Sequence, residues 1–347
     1  MGSSPHLLRA YELARQHYTH PNPRVGAVVV SPTGEVLGEG AHLGPGSPHA
    51  EVAALEGVPD PRGATIYVSL EPCAHTGRTP PCVDRLIAAG VARVVIGTGD
   101  PDARVAGAGI ARLLGAGIEV DLVDDPAARE LDPGYFHHRE TGSPFVTLKY
   151  AMTLDGSAAA ADRTSQWITS EEARADAHML RSQADAVIVG AGTLIADDPR
   201  LDVRLATGRG HQPRPVVVAG RRDLPDRARI WDRDPLVVST FDRTVPSGDL
   251  LLVAGAGHPD PVGVCAALAA AGYLDLLVEG GPTLAGAWWR AGVIDRGVAY
   301  IGGRFGGGEG IQPLDGAFTT IGDAVDVTVN DVRQVGTDVR IDFEIGR

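Results

Sequence analysis

The sequence has 347 residues, enough for about two domains, and its 44% hydrophobic and 22% charged residues exclude wholesale disorder. The formal net charge of −13 would repel a phosphate backbone, which argues against a dedicated nucleic-acid-binding protein. Three cysteines make no disulfide framework, no stretch approaches the ~20 apolar residues of a membrane span, and residues 1–20 lack the apolar core of a secretory signal. We therefore expect a cytoplasmic protein with no membrane partner.

The first half of the chain alternates between predicted helices and strands. A helix over residues 6–18 is followed by a strand hairpin over 25–30 and 36–42. The remaining predicted elements are helices at 49–55, 81–89 and 108–114, and strands at 65–70, 94–96 and 118–120. This alternation predicts an α/β sandwich around a central, largely parallel sheet.

Residues 121–144 contain several proline and glycine turns and few apolar positions in register, so we place a domain boundary there. The predicted domains are 1–144 and 145–347. The second half resumes with a strand at 145–152 and a helix at 171–180, whose N-cap is Thr169 or Ser170. Further strands are predicted at 186–189, 216–219, 236–239, 250–253 and 274–278, helices at 262–271 and 283–291, and an antiparallel pair at 325–332 and 338–344.

Three candidate metal ligands lie in the first half. His49 precedes Glu51 by two residues at a predicted helix start, and Cys73 and Cys82 follow Pro72 and Pro81. One imidazole and two thiolates can hold Zn²⁺ and leave a fourth position for water. A carboxylate beside such a water can move its proton, so this set matches the zinc deaminase signature, although eight residues rather than two separate the cysteines.

Other interpretations of these residues remain open at this point. Cys73 and Cys82 could be small core residues and His49 a helix cap, or His75 could complete a four-ligand structural zinc site that leaves Glu51 without a role. Cys265, within a predicted apolar helix, is interpreted as a buried structural thiol.

Three segments resemble the bifunctional deaminase–reductases of riboflavin biosynthesis. They are His-Pro-Asn-Pro-Arg-Val-Gly at 20–26, Pro-His-Ala-Glu at 48–51 and Leu-Glu-Pro-Cys-Ala-His-Thr-Gly-Arg-Thr-Pro-Pro-Cys at 70–82. In that family the longer cysteine spacing is the rule. The resemblance implies a cytidine-deaminase-like α/β/α sandwich that holds Zn²⁺ and deaminates a diaminopyrimidinone ribosylamine 5′-phosphate, with Glu51 as the catalytic proton carrier. It places Asn22 at the pyrimidine edge and His75 and Arg78, with His42 more weakly, at the sugar phosphate.

The second half resembles the reductase of the same family, a dihydrofolate-reductase-like α/β domain that uses NADPH to convert the ribosyl group into a ribityl chain. The matching segments are 149–156, 165–168, 192–199 and 278–283. The resemblance assigns NADPH contacts to Ala151, Trp167, Thr193, Asp197, Gly281, Pro282, Thr283, Leu284, Ala285, Gly286 and Ala287. It assigns substrate contacts to Lys149, Ser165, Arg181, Leu201, Arg204 and Glu279. Arginine suits a sugar phosphate because a guanidinium meets phosphate oxygens with two hydrogen bonds.

Four positions depart from the family pattern: Ser157 replaces a basic residue, Arg163 a common glycine, and Gly302-Gly303 an Ala-Pro pair. Two other classes of function compete with the resemblance. A nucleic-acid-editing deaminase uses the same zinc chemistry but is disfavoured by the acidic charge; a non-catalytic zinc scaffold is the other. We expect a small phosphorylated pyrimidine as substrate and a homo-oligomer as the assembly.

Overall fold

The computed structural model describes residues 4–76, 80–102, 105–204, 211–316 and 319–346. The chain divides into two compact units, residues 1–142 and 143–347, each with its own sheet. Among the described residues no helix combines the length and apolar character needed to cross a bilayer.

Unit 1 contains six helices and a five-stranded sheet within its described residues. The helices are α1 (Pro5–Arg15), α2 (Ala50–Leu55), α3 (Cys82–Ala89), α4 (Ala108–Gly115), α5 (Pro126–Arg129) and α6 (Pro133–Thr141). The strands are β1 (Gly26–Val30), β2 (Val36–Ala41), β3 (Thr65–Leu70), β4 (Arg93–Thr98) and β5 (Glu119–Leu122).

The sheet of unit 1 has the order β2-β1-β3-β4-β5. Strand β1 pairs antiparallel with both β2 and β3, and only β3, β4 and β5 run parallel. The prediction of a largely parallel sheet was therefore wrong for half of the pairings. The cause is the hairpin that inserts β1 beside β3.

Alternation along β1 builds the two faces of the sandwich. Ala27 and Val29 belong to a buried cluster with α2, α3 and α4, whereas Val28 and Val30 pack against Ala10 of α1. Because successive side chains of a strand point to opposite faces, helices cover both sides of the sheet. This is the α/β/α sandwich expected from the sequence.

The segment 121–144, in which we placed the domain boundary, contains two helices, and the two compact units divide near its end, between residues 142 and 143. Helices α5 and α6 each begin with proline after an aspartate N-cap: Asp125 accepts from the Ala127 amide at 2.9 Å, and Asp132 from the Tyr135 amide at 3.3 Å. Proline suits the first helical position because its missing N–H would have no partner there. Asp-Pro therefore marks helix starts here rather than linker turns, and Tyr135 and Phe136 are buried.

Unit 2 contains four α-helices and a nine-stranded sheet within its described residues. The helices are α7 (Glu171–Arg181), α8 (Ala191–Asp197), α9 (Pro261–Ala270) and α10 (Pro282–Arg290). The strands are β6 (Phe145–Thr153), β7 (Ala186–Gly190), β8 (Arg214–Ala219), β9 (Leu236–Ser239), β10 (Asp249–Leu252), β11 (Asp275–Val278), β12 (Arg296–Gly302), β13 (Val327–Val335) and β14 (Asp338–Ile345).

The sheet of unit 2 has the order β10-β9-β8-β7-β11-β6-β12-β14-β13. The first seven strands in this order, ending with β12, run parallel to one another. Strand β14 then pairs antiparallel with β12, and β13 pairs antiparallel with β14. Helices α9 and α10 cover one face through residues such as Leu268 and Trp288, and Leu194 of α8 packs on the other. Cys265 is buried in the first of these layers, as predicted.

Strand β12 was missed by the sequence analysis. Its segment Arg-Gly-Val-Ala-Tyr-Ile-Gly has an apolar run of only four residues, 298–301, of which Val298, Ala299 and Tyr300 are buried between β6 and β14. Gly297 is required because a Cβ built there would lie 2.0 Å from the Phe343 ring. The glycine leaves room for an aromatic ring of the neighbouring strand, and no local sequence pattern predicts this contact.

Candidate functional site

The three predicted zinc ligands converge in unit 1. Nδ1 of His49 lies 3.0 Å from Sγ of Cys82 and 3.6 Å from Sγ of Cys73, and all three ligand atoms lie within 4.8 Å of one another. Ligand atoms around one tetrahedral zinc ion are roughly 3.5 Å apart, given bonds of about 2.0–2.3 Å. The arrangement therefore fits a single zinc ion, with His49 bound through Nδ1.

Two helix starts bring these ligands together. His49 is the N-cap of α2, and Cys82 is the first residue of α3. The Cys82 amide donates to Sγ of Cys73 at 3.3 Å, which favours a thiolate there. Hydrogen bonding from the Cys82 thiol and from His49 lowers the pKa of Cys73 to about 4, so one sulfur is ready to bind a cation at neutral pH.

Glu51 lies two residues beyond His49 in α2 and is only 3% exposed. Burial raises the pKa of its carboxyl group, so its protonated form is easier to reach than that of a solvated glutamate. A carboxyl group that takes up and releases a proton during a reaction benefits from such a shift. Its position beside the ligands matches the predicted proton carrier.

Close packing of α2 on β2 sets the position of His49 and Glu51. A Cβ built on Gly40 would lie 2.5 Å from the carbonyl oxygen of Ala50 and 2.3 Å from the amide nitrogen of Ala54. The helix therefore rests directly on the strand backbone, where only glycine leaves room.

The sequence analysis missed Glu71, which holds the Cys73 segment. Its carboxylate accepts hydrogen bonds from the amides of Gly107 and Gly109 at 3.0 Å and of Ile110 at 3.3 Å, at the start of α4. Glu71 is 4% exposed, and a Cβ on Gly109 would lie 2.0 Å from the carbonyl oxygen of Pro72. An acidic residue directly after a buried strand is a signal that sequence inspection could have used, because a carboxylate there can bind the amides of a helix start.

Asn22 faces the zinc site through His42. Its Nδ2 lies 3.0 Å from Nε2 of His42, whose ring meets that of His49 edge to face at a centroid distance of 5.5 Å. Burial lowers the pKa of His42, which favours its neutral form. The side chain of His42 is thus buried and does not lie on an exposed loop. His75 is exposed, and Arg78 lies outside the described residues.

Three of the charged residues predicted for the second site form one cluster in unit 2. The register that pairs Val278 with Leu148 places Glu279 beside Lys149, with Oε2 and Nζ 3.8 Å apart. Arg181, the last residue of α7, donates to both carboxylate oxygens of Glu279, at 2.6 and 3.0 Å. Burial alone would raise the pKa of Glu279, but the charges of Arg181 and Lys149 hold it at about 2.

Arg204 is the more accessible of the two predicted phosphate-binding arginines. Its side chain is 56% exposed and lies 2.5 Å from Oδ1 of Asp202, whereas Arg181 is largely buried. Leu201 is buried in the core with Leu194 and Trp231, so its side chain serves packing.

Two glycine turns predicted to contact NADPH meet at the carboxyl ends of neighbouring parallel strands. Thr193 follows β7 and Gly281 follows β11, and the Gly281 amide donates to Oγ1 of Thr193 at 3.1 Å. Ligands of open parallel sheets bind in the crevice at this edge. The predicted run from Gly281 to Ala287 begins α10 at the same edge, and Asp197 ends α8 with its side chain exposed.

Strand β6 and its connection to α7 carry the other predicted contacts. Trp167 is 56% exposed, and the Arg174 guanidinium lies 4.4 Å from its ring centroid. Ser165 is half-buried, and Ala151 pairs with Tyr300 across β6 and β12. Within the described part of unit 2, no hydrogen bond or ion pair joins Ser165 or Trp167 to the cluster around Glu279.

Two family models match the chain. Residues 3–98 match the cytidine and deoxycytidylate deaminase zinc-binding region, and residues 144–341 match the RibD C-terminal domain.

Relatives match over nearly the whole length. The riboflavin biosynthesis protein RibD of Mycobacterium tuberculosis strain H37Rv is 41% identical over 92% of this chain and 90% of its own, and that of Escherichia coli K12 is 39% identical over 96% and 97%. Among solved structures, RibD of Acinetobacter baumannii (form 1) has a TM-score of 0.90 at 34% identity, covering 99% of this chain and 98% of its own. A deaminase/reductase from Thermotoga maritima has a TM-score of 0.91 at 31% identity and covers 98% of each chain.

The fold class and the resemblance stated from sequence agree with these matches. Zinc and NADPH are the cofactors of the two activities. This chain belongs to the RibD family of riboflavin biosynthesis proteins, bifunctional enzymes that join a deaminase to a reductase.

Proposed function

We propose that unit 1 removes the ring amino group of 2,5-diamino-6-ribosylamino-4(3H)-pyrimidinone 5′-phosphate and that unit 2 then reduces the ribosyl group of the product. The convergence of His49, Cys73 and Cys82 beside buried Glu51 carries the first half of the proposal. The Thermotoga maritima relative, described as a diaminohydroxyphosphoribosylaminopyrimidine deaminase and 5-amino-6-(5-phosphoribosylamino)uracil reductase, supports both halves.

In unit 1, His49, Cys73 and Cys82 would hold zinc. When bound, zinc supplies Lewis acidity that makes hydroxide available near neutral pH. Glu51 takes the proton released from the attacking water and delivers it to the ring nitrogen. It then carries a second proton, from the new hydroxyl group on the ring carbon, to the amino group, which leaves as ammonia while that carbon becomes a carbonyl. Asn22 holds the pyrimidine edge, and His75, which is exposed, binds the sugar phosphate together with Arg78.

In unit 2, the proposed cofactor crevice is the edge formed by Thr193, Asp197 and residues 281–287, with Ala151 and Trp167 at its margin. NADPH held in this crevice would supply the hydride for reduction of the ribosyl group. Glu279 and Lys149 position the reacting end of the substrate, with Ser165 and the backbone around Leu201 beside it. We assign the phosphate to Arg204 with Arg181 behind it, because Arg181 is already bound to Glu279.

Two broader expectations belong to the same proposal. A reducing cytoplasm suits Cys73 and Cys82, which bind zinc only as thiolates. A homo-oligomer is supported by the edge strand β13, where Val329 and Val332 are more than half exposed. Light scattering on the protein as it elutes from a size-exclusion column would measure the mass of the assembly and hence the number of chains in it.

Product masses test both halves in one experiment. Purified protein incubated with the phosphorylated diaminopyrimidinone alone should replace one amino group by oxygen, and adding NADPH should add two hydrogens. Chelation of zinc should abolish the first change, while the reduction of supplied deaminated intermediate continues. Reduction that stops with zinc removal would contradict the division of labour, and no mass change in zinc-loaded protein would contradict the proposal.

A further inference from the structure

We infer that His42 is a positioning residue whose imidazole, protonated on Nδ1 and not on Nε2, fixes which atoms of the Asn22 amide face the pyrimidine. The inference rests on the proposed contact between Asn22 and the substrate. Beyond that contact, the inference says which group determines whether Asn22 offers a donor or an acceptor to each atom of the substrate.

The backbone around Asn22 is held on both sides. The backbone amide of Asn22 donates to the carbonyl oxygen of Thr19 at 3.0 Å, and the backbone carbonyl oxygen of Asn22 accepts from the Thr19 hydroxyl at 2.9 Å. Two residues away on either side, Asp132 contacts Nε2 of His20 at 2.6 Å and accepts from the Arg24 amide at 3.0 Å. With the backbone fixed, the freedom that remains is rotation of the Asn22 side-chain amide, which exchanges a donor for an acceptor.

The partners of His42 determine where its proton lies. Nδ1 is 3.1 Å from the carbonyl oxygen of Pro48, an atom that can only accept. Nδ1 is also 3.2 Å from the hydroxyl of Ser47, whose own proton goes to the carbonyl oxygen of Gly44 at 2.7 Å. The Pro48 carbonyl therefore requires a donor at Nδ1, and the Ser47 hydroxyl, while it donates to Gly44, can accept from the same nitrogen. In a neutral imidazole Nε2 is then an acceptor.

The acceptor at Nε2 sets the orientation of Asn22. The group 3.0 Å from Nε2 must donate, so it is Nδ2 of the amide. Oδ1 then points away from His42, and no described residue donates a hydrogen bond to it. The half-buried amide offers a carbonyl oxygen and one remaining N–H to a ligand.

This arrangement selects a class of ring edge. Oδ1 accepts from an N–H, and the second hydrogen of Nδ2 donates to a carbonyl or ring nitrogen, so an aminopyrimidinone edge with adjacent donor and acceptor is matched. A ligand with the reversed order would leave both groups unpaired, which usually costs more than a lost hydrogen bond gains. His42 acts on the substrate only through Asn22.

Histidine tautomers can be observed directly. In zinc-loaded full-length protein labelled with ¹⁵N-histidine, two-bond ¹H–¹⁵N spectra should show His42 protonated on Nδ1 and His49 protonated on Nε2, opposite to its zinc-bound nitrogen. Loss of one pattern in H42Q assigns the signals. A His42 proton on Nε2, or on both nitrogens, would overturn the inference.

Two substitutions separate the two nitrogens kinetically. An asparagine amide reaches the position of Nδ1, so H42N can keep donation to Pro48 but not acceptance from Asn22; a glutamine amide reaches the position of Nε2, so H42Q can keep that acceptance. We expect KM for deamination to rise about tenfold in H42N, the effect of one hydrogen bond, and several-fold less in H42Q, with smaller changes in kcat. Zinc content and reductase activity report folding.

Each result decides a different claim. Equal KM values in H42N and H42Q, with a raised KM in N22A, would overturn the role of the tautomer and leave the Asn22 contact in place. An unchanged KM in N22A would overturn the contact itself and with it this part of the proposed function.

Discussion

The two sites are assembled in different ways. In unit 1 the ligands lie at the starts of α2 and α3 and just beyond β3, and backbone packing at Gly40 and Gly109 brings them together. In unit 2 the middle of β6, the end of α7 and the residue after β11 bring Lys149, Arg181 and Glu279 together, and opposite charges hold them. The first site is shaped to receive a cation, whereas the second is held by one carboxylate between two cationic side chains. Their variants should therefore fail differently.

Glu51 offers the strongest test of the first site. In E51Q the amide cannot carry a proton, so deamination should fall by about 10³-fold, while zinc content and reduction of supplied intermediate stay at wild-type levels. Metal analysis and ammonia release measure the two properties. E56Q, which neutralises an exposed carboxylate at the end of the same helix, is the matched control. Substantial turnover in zinc-loaded E51Q would show that another group moves the proton.

Glu279 offers the corresponding test of the second site. In E279Q, Arg181 and Lys149 lose their shared counter-charge, and removing one partner of a buried ion pair costs about 3–5 kcal/mol. We expect kcat/KM for reduction to fall by at least about 100-fold, measured as NADPH oxidation, with deamination unchanged. E171Q, an exposed change on α7, is the control. Equal loss in both reactions would indicate general unfolding rather than a local effect.

The same carboxylate should make unit 2 sensitive to acid. The pKa of Glu279 lies near 2 in the folded chain, below its ordinary value of about 4.3 when unfolded, so its ionised form contributes stability above about pH 4.3. That contribution is lost as pH falls toward 2. Urea unfolding of unit 2 between pH 6 and pH 3 should therefore show a steeper loss of stability in the wild type than in E279Q. Parallel pH profiles would contradict the depressed pKa.

Sequence patterns predicted unit 1 more completely than unit 2. Short motifs carry the metal ligands, so residue types and spacing alone indicate the chemistry of His49 and Cys82. The pairing of Lys149 with Glu279 depends on the register of β6 against β11, 130 residues apart in the chain, and the resemblance named the residues without predicting their contact. Gly297, which receives the Phe343 ring, and Asp132, which holds His20 and Arg24, act through tertiary contacts that no local pattern contains.

Lys149 allows the electrostatics of the second site to be measured at one atom, because it is the only lysine in the sequence. Burial lowers its pKa, and Glu279 partly opposes that shift. Reductive ¹³C-methylation should give one side-chain signal besides that of the N-terminus, with a titration midpoint below the ordinary lysine value of about 10.4. In E279Q the midpoint should fall further. An unshifted midpoint would mean that the amine is open to water.

Arg163, one of the departures from the family pattern, provides the smallest and most local test. Its φ of 71° lies in the left-handed region, where glycine is favoured, and the family often has glycine there. R163G removes strain of about 1–2 kcal/mol but makes the unfolded chain more flexible by up to about 1 kcal/mol. We therefore expect a net stabilisation of up to about 1 kcal/mol in urea unfolding of unit 2. Gly156 lies on the same connection at a φ of 90°, so G156A should instead destabilise unit 2. Because Arg163 lies four residues before Trp167, an unchanged KM for NADPH in R163G would show that the strained residue affects stability and not the cofactor crevice.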